Sequence, residues 1–163
     1  MNRRKQIAVV GSGDDRMEPA VSHARMLGEL IAREGWAVVS GGRDAGVMRA
    51  VNEGAKKVAG SLTVGILPGP VGSVAPGVDV VVVTGLGNAR NNVIVLSADV
   101  VVACGVDGAG TASEVALALK NGKTVILLAA DETARAFYNR IGNGMVLRAA
   151  TPQEAVELIR TVL

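Results

Sequence analysis

The sequence predicts a Rossmann-like α/β fold, a three-layer α/β/α arrangement with a mainly parallel sheet of about seven strands. Short runs rich in valine and isoleucine alternate with helical stretches along the whole chain, which is typical of parallel βαβ units. The runs are almost entirely apolar, as expected for strands that helices cover on both faces. With 163 residues, of which 49% are apolar, residues 1–163 are predicted to form a single domain.

The first half of the chain alternates three predicted strands with two predicted helices. The strands are Ile7–Val10, Trp36–Ser40 and Leu62–Leu67, and the helices are Pro19–Glu34 and a segment capped by Asp44 that ends near Ala59. Gly35 follows the first helix, where a residue in the left-handed conformation commonly ends a helix. Three prolines and three glycines between Pro68 and Gly77 predict a long loop that could form a pocket rim.

The second half continues the alternation. Strands are predicted at Val80–Thr84, Val100–Cys104, Thr124–Leu128 and, as a short seventh strand, Val146–Leu147. Helices are predicted at Ala89–Ala98 with Asn88 as cap, from about Gly110 to Lys120, and from a cap at Thr151 to about Val162. Thr151 and Glu154 form a capping box with proline between them. The segment Asp131–Asn143 is weakly patterned and receives no predicted element.

Glycine-rich turns follow four of the predicted strands. They are Gly11-Ser12-Gly13, Gly41-Gly42, Gly85-Leu86-Gly87-Asn88 and Gly105–Gly110. Right-handed crossovers place all such turns at the carboxyl edge of a parallel sheet, where ligands bind. We therefore expect Gly11, Ser12, Gly41 and Gly42 to contribute to one ligand pocket.

The turn after the fifth strand is the strongest candidate for a phosphate site. Glycines let backbone N–H groups point inward, and the helix that begins near Gly110 adds free N–H donors and the positive end of its dipole. The Thr111 hydroxyl is a further donor. We predict that Gly108, Ala109, Gly110 and Thr111 bind phosphate. One such turn alone would also fit a purely steric role, and the presence of four favours a ligand.

Charged and amide side chains near these turns are further candidates. Arg90 and Arg43 are suited to clamp a phosphate, and the alternative for both is an ordinary surface arginine. Asn88 is a further candidate for ligand binding, and Asn91 and Asn92 can orient a ligand or share the hydrogen bonding of the helix start. Glu114 lies about one turn inside its helix, where it could bind a ribose hydroxyl, act as a general acid or base, or stabilise the helix dipole.

Several ligand and partner classes are not expected. The Gly11-Ser12-Gly13 turn lacks the third glycine of a dinucleotide site, and no acidic residue ends the second strand. One cysteine and one histidine cannot make the usual zinc site. The basic residues lack aromatic neighbours, which argues against nucleic acid. No apolar run approaches the ~20 residues of a membrane span, and the single Cys104 suits a reducing compartment, so we expect a cytoplasmic protein.

Parts of the sequence resemble the LOG-like ("Lonely Guy") superfamily. Gly41–Met48 is similar to its Gly-Gly-x-x-x-Gly-x-Met segment, and Gly108–Glu114, with Arg90 upstream, is similar to its Pro-Gly-Gly-x-Gly-Thr-x-x-Glu segment. The resemblance covers about residues 7–130. Within the superfamily, the sequence most resembles the molybdenum-cofactor-carrier-like branch. The segments that carry this resemblance are Ala89–Asn91, Ala98–Val100, Gly110–Ala116 and Gly122–Leu127.

The resemblance implies a homodimer or a dimer-based homo-oligomer and a phosphate site in the Gly-Thr turn. In the hydrolytic members, the residues that correspond to Arg90 and Glu114 release a free base from a nucleoside 5′-monophosphate. Two departures favour a different ligand here. Val106-Asp107 replace the Pro-Gly of the motif, and Arg43 stands where glycine is usual.

The sequence therefore supports two main hypotheses. The favoured one is a binding or carrier protein for a phosphate-bearing small molecule, either a nucleotide such as AMP or the molybdenum cofactor, with no cofactor required. The alternative is a nucleoside 5′-monophosphate phosphoribohydrolase with Arg90 and Glu114 as catalytic residues. A weaker third hypothesis is a module that only senses a nucleotide.

Overall fold

Seven short strands form a single sheet, and all pairings are parallel, in the computed structural model, which describes residues 3–70 and 72–163. The strands are β1 Gln6–Gly11, β2 Ala37–Ser40, β3 Leu62–Leu67, β4 Val80–Val83, β5 Val100–Cys104, β6 Thr124–Leu128 and β7 Val146–Ala149. The helices are α1 Ala20–Arg33, α2 Gly46–Ala55, α3 Arg90–Ser97, α4 Ala109–Lys120, α5 Glu132–Ile141 and α6 Pro152–Val162. The predicted α/β/α architecture is confirmed.

The order of the strands determines where a ligand site can form. The sheet runs β4-β3-β2-β1-β5-β6-β7, so the chain builds outward from β1 to one edge and then returns to β5 at the centre. β1 and β5 are neighbours, and their connections leave in opposite directions. This reversal opens a crevice at the carboxyl ends of the two strands.

Alternating residues of the central strands pack against the two helical layers. Ile7 and Val9 belong to a buried cluster with residues of α1, α2 and α6. Ala8 and Val10 belong to a second cluster with residues of α3, α4 and α5. Complete burial of a valine or isoleucine side chain contributes roughly 1.5–3 kcal/mol, so these small aliphatic residues hold both layers with little help from aromatic rings.

Several local predictions are confirmed. Gly35 follows α1 with a φ of 73°. In the capping box, the Glu154 N–H donates to Thr151 Oγ1 at 3.2 Å, and Glu154 Oε2 accepts from the Ala150 N–H at 2.8 Å. The seventh strand is longer than predicted and extends to Ala149.

Other local predictions are wrong. Asp44 and Asn88 do not cap α2 and α3, because α2 begins at Gly46 and a short 3₁₀ turn at Gly87–Ala89 precedes α3. α2 ends at Ala55 rather than near Ala59. The weakly patterned segment 131–143 contains α5, which is polar overall and buries only Tyr138, so few large apolar residues mark it as a helix.

Strand β4 departs from the expectation of strands covered on both faces. All four of its valines, Val80 to Val83, are 40–52% exposed. β4 pairs only with β3 and lies at the edge of the sheet.

Within residues 3–70 and 72–163, no helix has the length and apolar character needed to cross a membrane.

Candidate functional site

A cavity of about 260 Å³ opens at the carboxyl edge of the sheet, beside the crevice between β1 and β5. It is lined by Val9, Val10, Gly11, Ser12, Gly13, Gly41, Arg43, Met48, Asn88, Arg90, Asn91, Gly108, Gly110, Thr111 and Glu114. The glycine-rich turns after β1, β2, β4 and β5 therefore converge, as the order of the elements predicts. Whether these residues bind a ligand stays a prediction.

Two of the predicted residues do not line the cavity. Gly42 has a φ of 69°, and a Cβ there would lie 2.8 Å from Gly65 Cα, so this glycine permits close contact between two backbones. Ala109 is the first residue of α4 and lies beside the lining residues Gly108 and Gly110. The loop 68–77, predicted as a rim, does not contribute in its described part, which excludes Val71. It instead bridges Val74 to Arg43.

Four lining residues were not predicted. Val9 and Val10 are strand residues that the pattern assigns to the core. Gly13 belongs to the first glycine-rich turn, and Met48 follows the second turn within the first segment of the LOG-like resemblance. Gly13 and Met48 could have been predicted from these positions, because a strand-to-helix loop and the first turn of the helix after it face the same crevice at this edge of the sheet.

The N-terminus of α4 forms one wall of the cavity. Its N-cap residue, Gly108, has no side chain to accept a hydrogen bond, and its first turn contains no acidic residue. The first hydrogen bond of the helix is donated by the Ala112 N–H to the carbonyl of this N-cap residue, Gly108, at 3.0 Å. The preceding N–H groups, of Ala109, Gly110 and Thr111, donate to no carbonyl or side chain in residues 3–70 and 72–163. Such groups attract an anion.

Arg90 brings a buried positive charge to the same cavity. It is the first residue of α3 and is only 8% exposed. Its Nε has no hydrogen-bond partner within the described chain. Burial lowers the pKa of the Arg90 guanidinium, Glu114 raises it and Arg43 lowers it, and an arginine remains charged throughout. A buried cation with unused donors is costly without an anion.

Gly41 makes room for this guanidinium. A Cβ at Gly41 would lie 2.9 Å from both Arg90 Nη1 and Nη2 and 2.6 Å from the Met48 sulfur. The absence of a side chain lets the backbone at the end of β2 pack directly against the guanidinium. The glycine at this position is therefore explained by packing within the cavity wall.

Glu114 lies next to Arg90 in the lining of the cavity. It is 6% exposed, and its Oε1 lies 3.5 Å from Arg90 Nη1. Burial raises the pKa of Glu114 to about 7, and the nearby Arg90 only partly offsets this. The carboxyl group thus exchanges its proton near neutral pH, which suits either a hydrogen bond to a ligand or general acid–base chemistry.

The remaining predicted side chains have distinct surroundings. Ser12 Oγ accepts from the Asp14 N–H at 3.0 Å, which shapes the turn after β1. Asn91 lines the cavity, but its side-chain amide is bonded within the protein on both sides. Among the described residues, no group of His, Cys, Asp and Glu side chains could hold a metal ion.

Solved structures with the same fold are similar to this chain over almost its entire length. A molybdenum cofactor binding protein of Rippkaea orientalis is 48% identical, with a TM-score of 0.93 and coverage of 98% of each chain. The molybdenum cofactor carrier protein of Chlamydomonas reinhardtii is 41% identical, with a TM-score of 0.90 and coverage of 98% of each chain.

Sequence comparison agrees with the structural similarity. An uncharacterized protein of Archaeoglobus fulgidus is 42% identical over 123 residues, which is 76% of this chain and 79% of that protein. A family model described as the SLOG cluster4 family matches residues 4–156. The chain belongs to the SLOG cluster4 family.

Proposed function

We propose that this protein binds and carries a small molecule with a terminal phosphate, and that the molybdenum cofactor is its ligand. One observation carries the proposal: the N–H groups at the start of α4 are unpaired within the described residues and share a cavity with the buried guanidinium of Arg90. Backbone donors, a helix dipole and a guanidinium are the groups that bind phosphate in proteins.

The choice of ligand rests on the relatives. Two of them are described as binding or carrying the molybdenum cofactor, and both are more than 40% identical to this chain. A nucleotide such as AMP has the same terminal phosphate and remains the second ligand to test. Binding of either requires only the turns and Arg90.

A phosphoribohydrolase is the second candidate function, and the position of Glu114 favours it. A carboxyl group with a pKa of about 7 is well placed to transfer a proton at neutral pH. Arg90, 3.5 Å away, would balance the charge that develops on the substrate. This function requires turnover, whereas a carrier requires only retention and release.

The test compares binding with turnover. The protein is titrated with molybdenum cofactor and with AMP in a calorimeter, and the AMP mixture is assayed for ribose 5-phosphate. We expect cofactor binding without turnover. Arg90→Met should weaken binding about 100-fold, since a charge-assisted pair to phosphate is lost. Arg33→Met, which removes an exposed arginine paired with Glu29, is the matched control.

Two outcomes would contradict the carrier. Unchanged affinity in Arg90→Met, with the variant folded, would remove the phosphate site from this cavity. Release of ribose 5-phosphate that disappears in Glu114→Gln would establish the hydrolase instead.

The homodimer implied by the LOG-like resemblance stays a prediction. The exposed valines of β4 support it, because an uncovered apolar edge strand is prone to association with another chain. The sequence from Val80 to Ala89 contains no charged residue that would oppose a second copy.

A further inference from the structure

A series of hydrogen bonds connects the Arg90 guanidinium to the first turn of α4. Arg90 Nη1 donates to Asn91 Oδ1 at 3.1 Å, and Asn91 Nδ2 donates to Ser113 Oγ at 3.0 Å. Ser113 Oγ donates in turn to the Gly110 carbonyl at 2.7 Å. The contact between Asn91 and Ser113 joins residues 22 positions apart, on two different helices. We call this contact the Asn91–Ser113 link.

The donors and acceptors in this series are consistent along its length. Arginine can only donate, so the oxygen of the Asn91 amide must face Arg90 and its nitrogen must face Ser113. The Ser113 hydroxyl accepts from that nitrogen and therefore turns its own hydrogen toward Gly110. Asn91 is 9% exposed, and both polar atoms of its amide are engaged within the protein in this arrangement.

Little else fixes the direction of the guanidinium. Glu114 Oε1 is 3.5 Å from Nη1, which is longer than a well-formed N–H···O hydrogen bond. The Nε group has no partner among the described residues. Gly41 offers only a packing surface. The bond to Asn91 is the short polar contact that sets how the guanidinium is oriented.

We propose that Asn91 and Ser113 are positioning residues, which hold the Arg90 guanidinium in register with the unpaired N–H groups of α4. This positioning role rests on the proposed function, since the aligned groups would together bind the phosphate of the ligand. A guanidinium binds phosphate best when its plane and its paired N–H donors are oriented in advance. The predicted contact between Asn91 and a ligand stays a prediction beside this role.

The test uses two serines that differ in one respect. Ser113 and Ser97 each donate to a carbonyl of their own helix, but only Ser113 also accepts from an asparagine on another helix. Ser113→Ala and the control Ser97→Ala are compared with the unmodified protein. The first measurement is the NMR signal of the Arg90 side chain, recorded without ligand. The second is the affinity for inorganic phosphate.

In the ligand-free protein, rotation of the Arg90 guanidinium should be slow, faster in Ser113→Ala and unchanged in Ser97→Ala. Phosphate affinity should fall about 3- to 10-fold in Ser113→Ala, the effect of one hydrogen bond. In an Arg90→Lys background, Ser113→Ala should have no further effect, because its influence passes through the guanidinium.

The outcomes separate positioning from phosphate binding. If rotation is the same in Ser113→Ala, or if the affinity loss persists in the Arg90→Lys background, the positioning role is overturned. If rotation quickens but the unmodified protein binds no phosphate, the positioning role stands and the proposed function fails.

Discussion

The N-termini of α2 and α4 both lie at the carboxyl edge of the sheet, and they are built in opposite ways. At α2, the Gly46 N–H donates to the Asp15 carboxylate at 2.6 Å, and the same carboxylate pairs with Arg49. At α4, the first turn contains no acidic residue, and no described side chain accepts a hydrogen bond from the start of the helix. The protein thus provides an anion of its own at the N-terminus of α2 and leaves the N–H groups at the N-terminus of α4 without one.

The two ends also differ in the space around the backbone. A Cβ at Gly46 would lie 2.3 Å from the Ser12 carbonyl oxygen, whereas a Cβ at Gly110 would meet nothing within 4 Å. Gly46 is therefore required by packing, and Gly110 faces open space. The difference supports the proposed phosphate site at α4, because only this helix N-terminus is filled neither by the acid of a neighbouring loop nor by backbone.

Replacing each glycine by alanine tests this comparison most strongly. Gly46→Ala should lower the free energy of unfolding by about 3 kcal/mol, because φ is 49° and the added Cβ collides with backbone. Gly110→Ala should leave the protein as stable or more stable by up to ~1 kcal/mol, since alanine is the better helix residue. Urea denaturation measures both changes.

Phosphate affinity provides the other half of this test. Gly110→Ala adds a methyl group to the cavity wall and should weaken phosphate binding about 10-fold, roughly one hydrogen bond to a charged group. A stable Gly46→Ala, or full phosphate affinity in Gly110→Ala, would mean that the two helix ends are alike.

The sequence predicted the parts of this comparison that depend on local pattern. The positions of the strands are predicted by runs of valine and isoleucine. The position of the cavity is predicted by the glycine-rich turns that connect β1, β2 and β5 to the helices that follow them. Gly108, Gly110 and Thr111 could be identified because a parallel sheet places such turns at one edge. Arg90 and Glu114 could be included as candidates because they lie close to those turns in the sequence.

The parts that depend on distant contacts could not be predicted. Asp15 satisfies the start of α2 from 31 residues away, while the nearby Asp44, which suits a cap by its position, does not. The Asn91–Ser113 link likewise joins two helices whose relative rotation no local pattern fixes. α5 was missed because a helix that is polar overall and buries a single residue contains few of the large apolar residues by which a buried helix is recognised.

The carboxyl group of Glu114 should make anion binding at the start of α4 depend on pH. Sulfate is a suitable probe because its charge does not change between pH 6 and 8. As the pH rises through about 7, Glu114 loses its proton and opposes an anion beside Arg90 and Arg43. We expect sulfate affinity to fall several-fold over this range, up to about 10-fold. In Glu114→Gln the affinity should be independent of pH and higher at pH 8.

Stability should change with pH for the same reason. Burial raises the pKa of Glu114 from its ordinary 4.5 to about 7, so between these values the folded protein holds a proton that the unfolded chain has lost. Raising the pH through this window therefore costs stability, and Glu114→Gln should be the more stable protein at pH 8 by about 1–3 kcal/mol. Equal stability of the two proteins at pH 8 would place Glu114 in a more solvated position.

Removing the internal anion from α2 is the subtlest test of the comparison. Asp15→Ala leaves the Gly46 N–H without its partner and leaves Arg49 only its longer ion pair with Asp44, at 3.6 Å. Loss of a cap costs about 1 kcal/mol, or a fall in melting temperature of roughly 2–4 °C. The emptied end then resembles α4, so sulfate should raise the melting temperature of Asp15→Ala more than that of the unmodified protein. Comparison at equal sulfate concentration cancels the general stabilising effect of this salt. An equal response in both proteins would show that an unpaired N-terminus with a nearby arginine does not suffice, and that the enclosed cavity at α4 is also required.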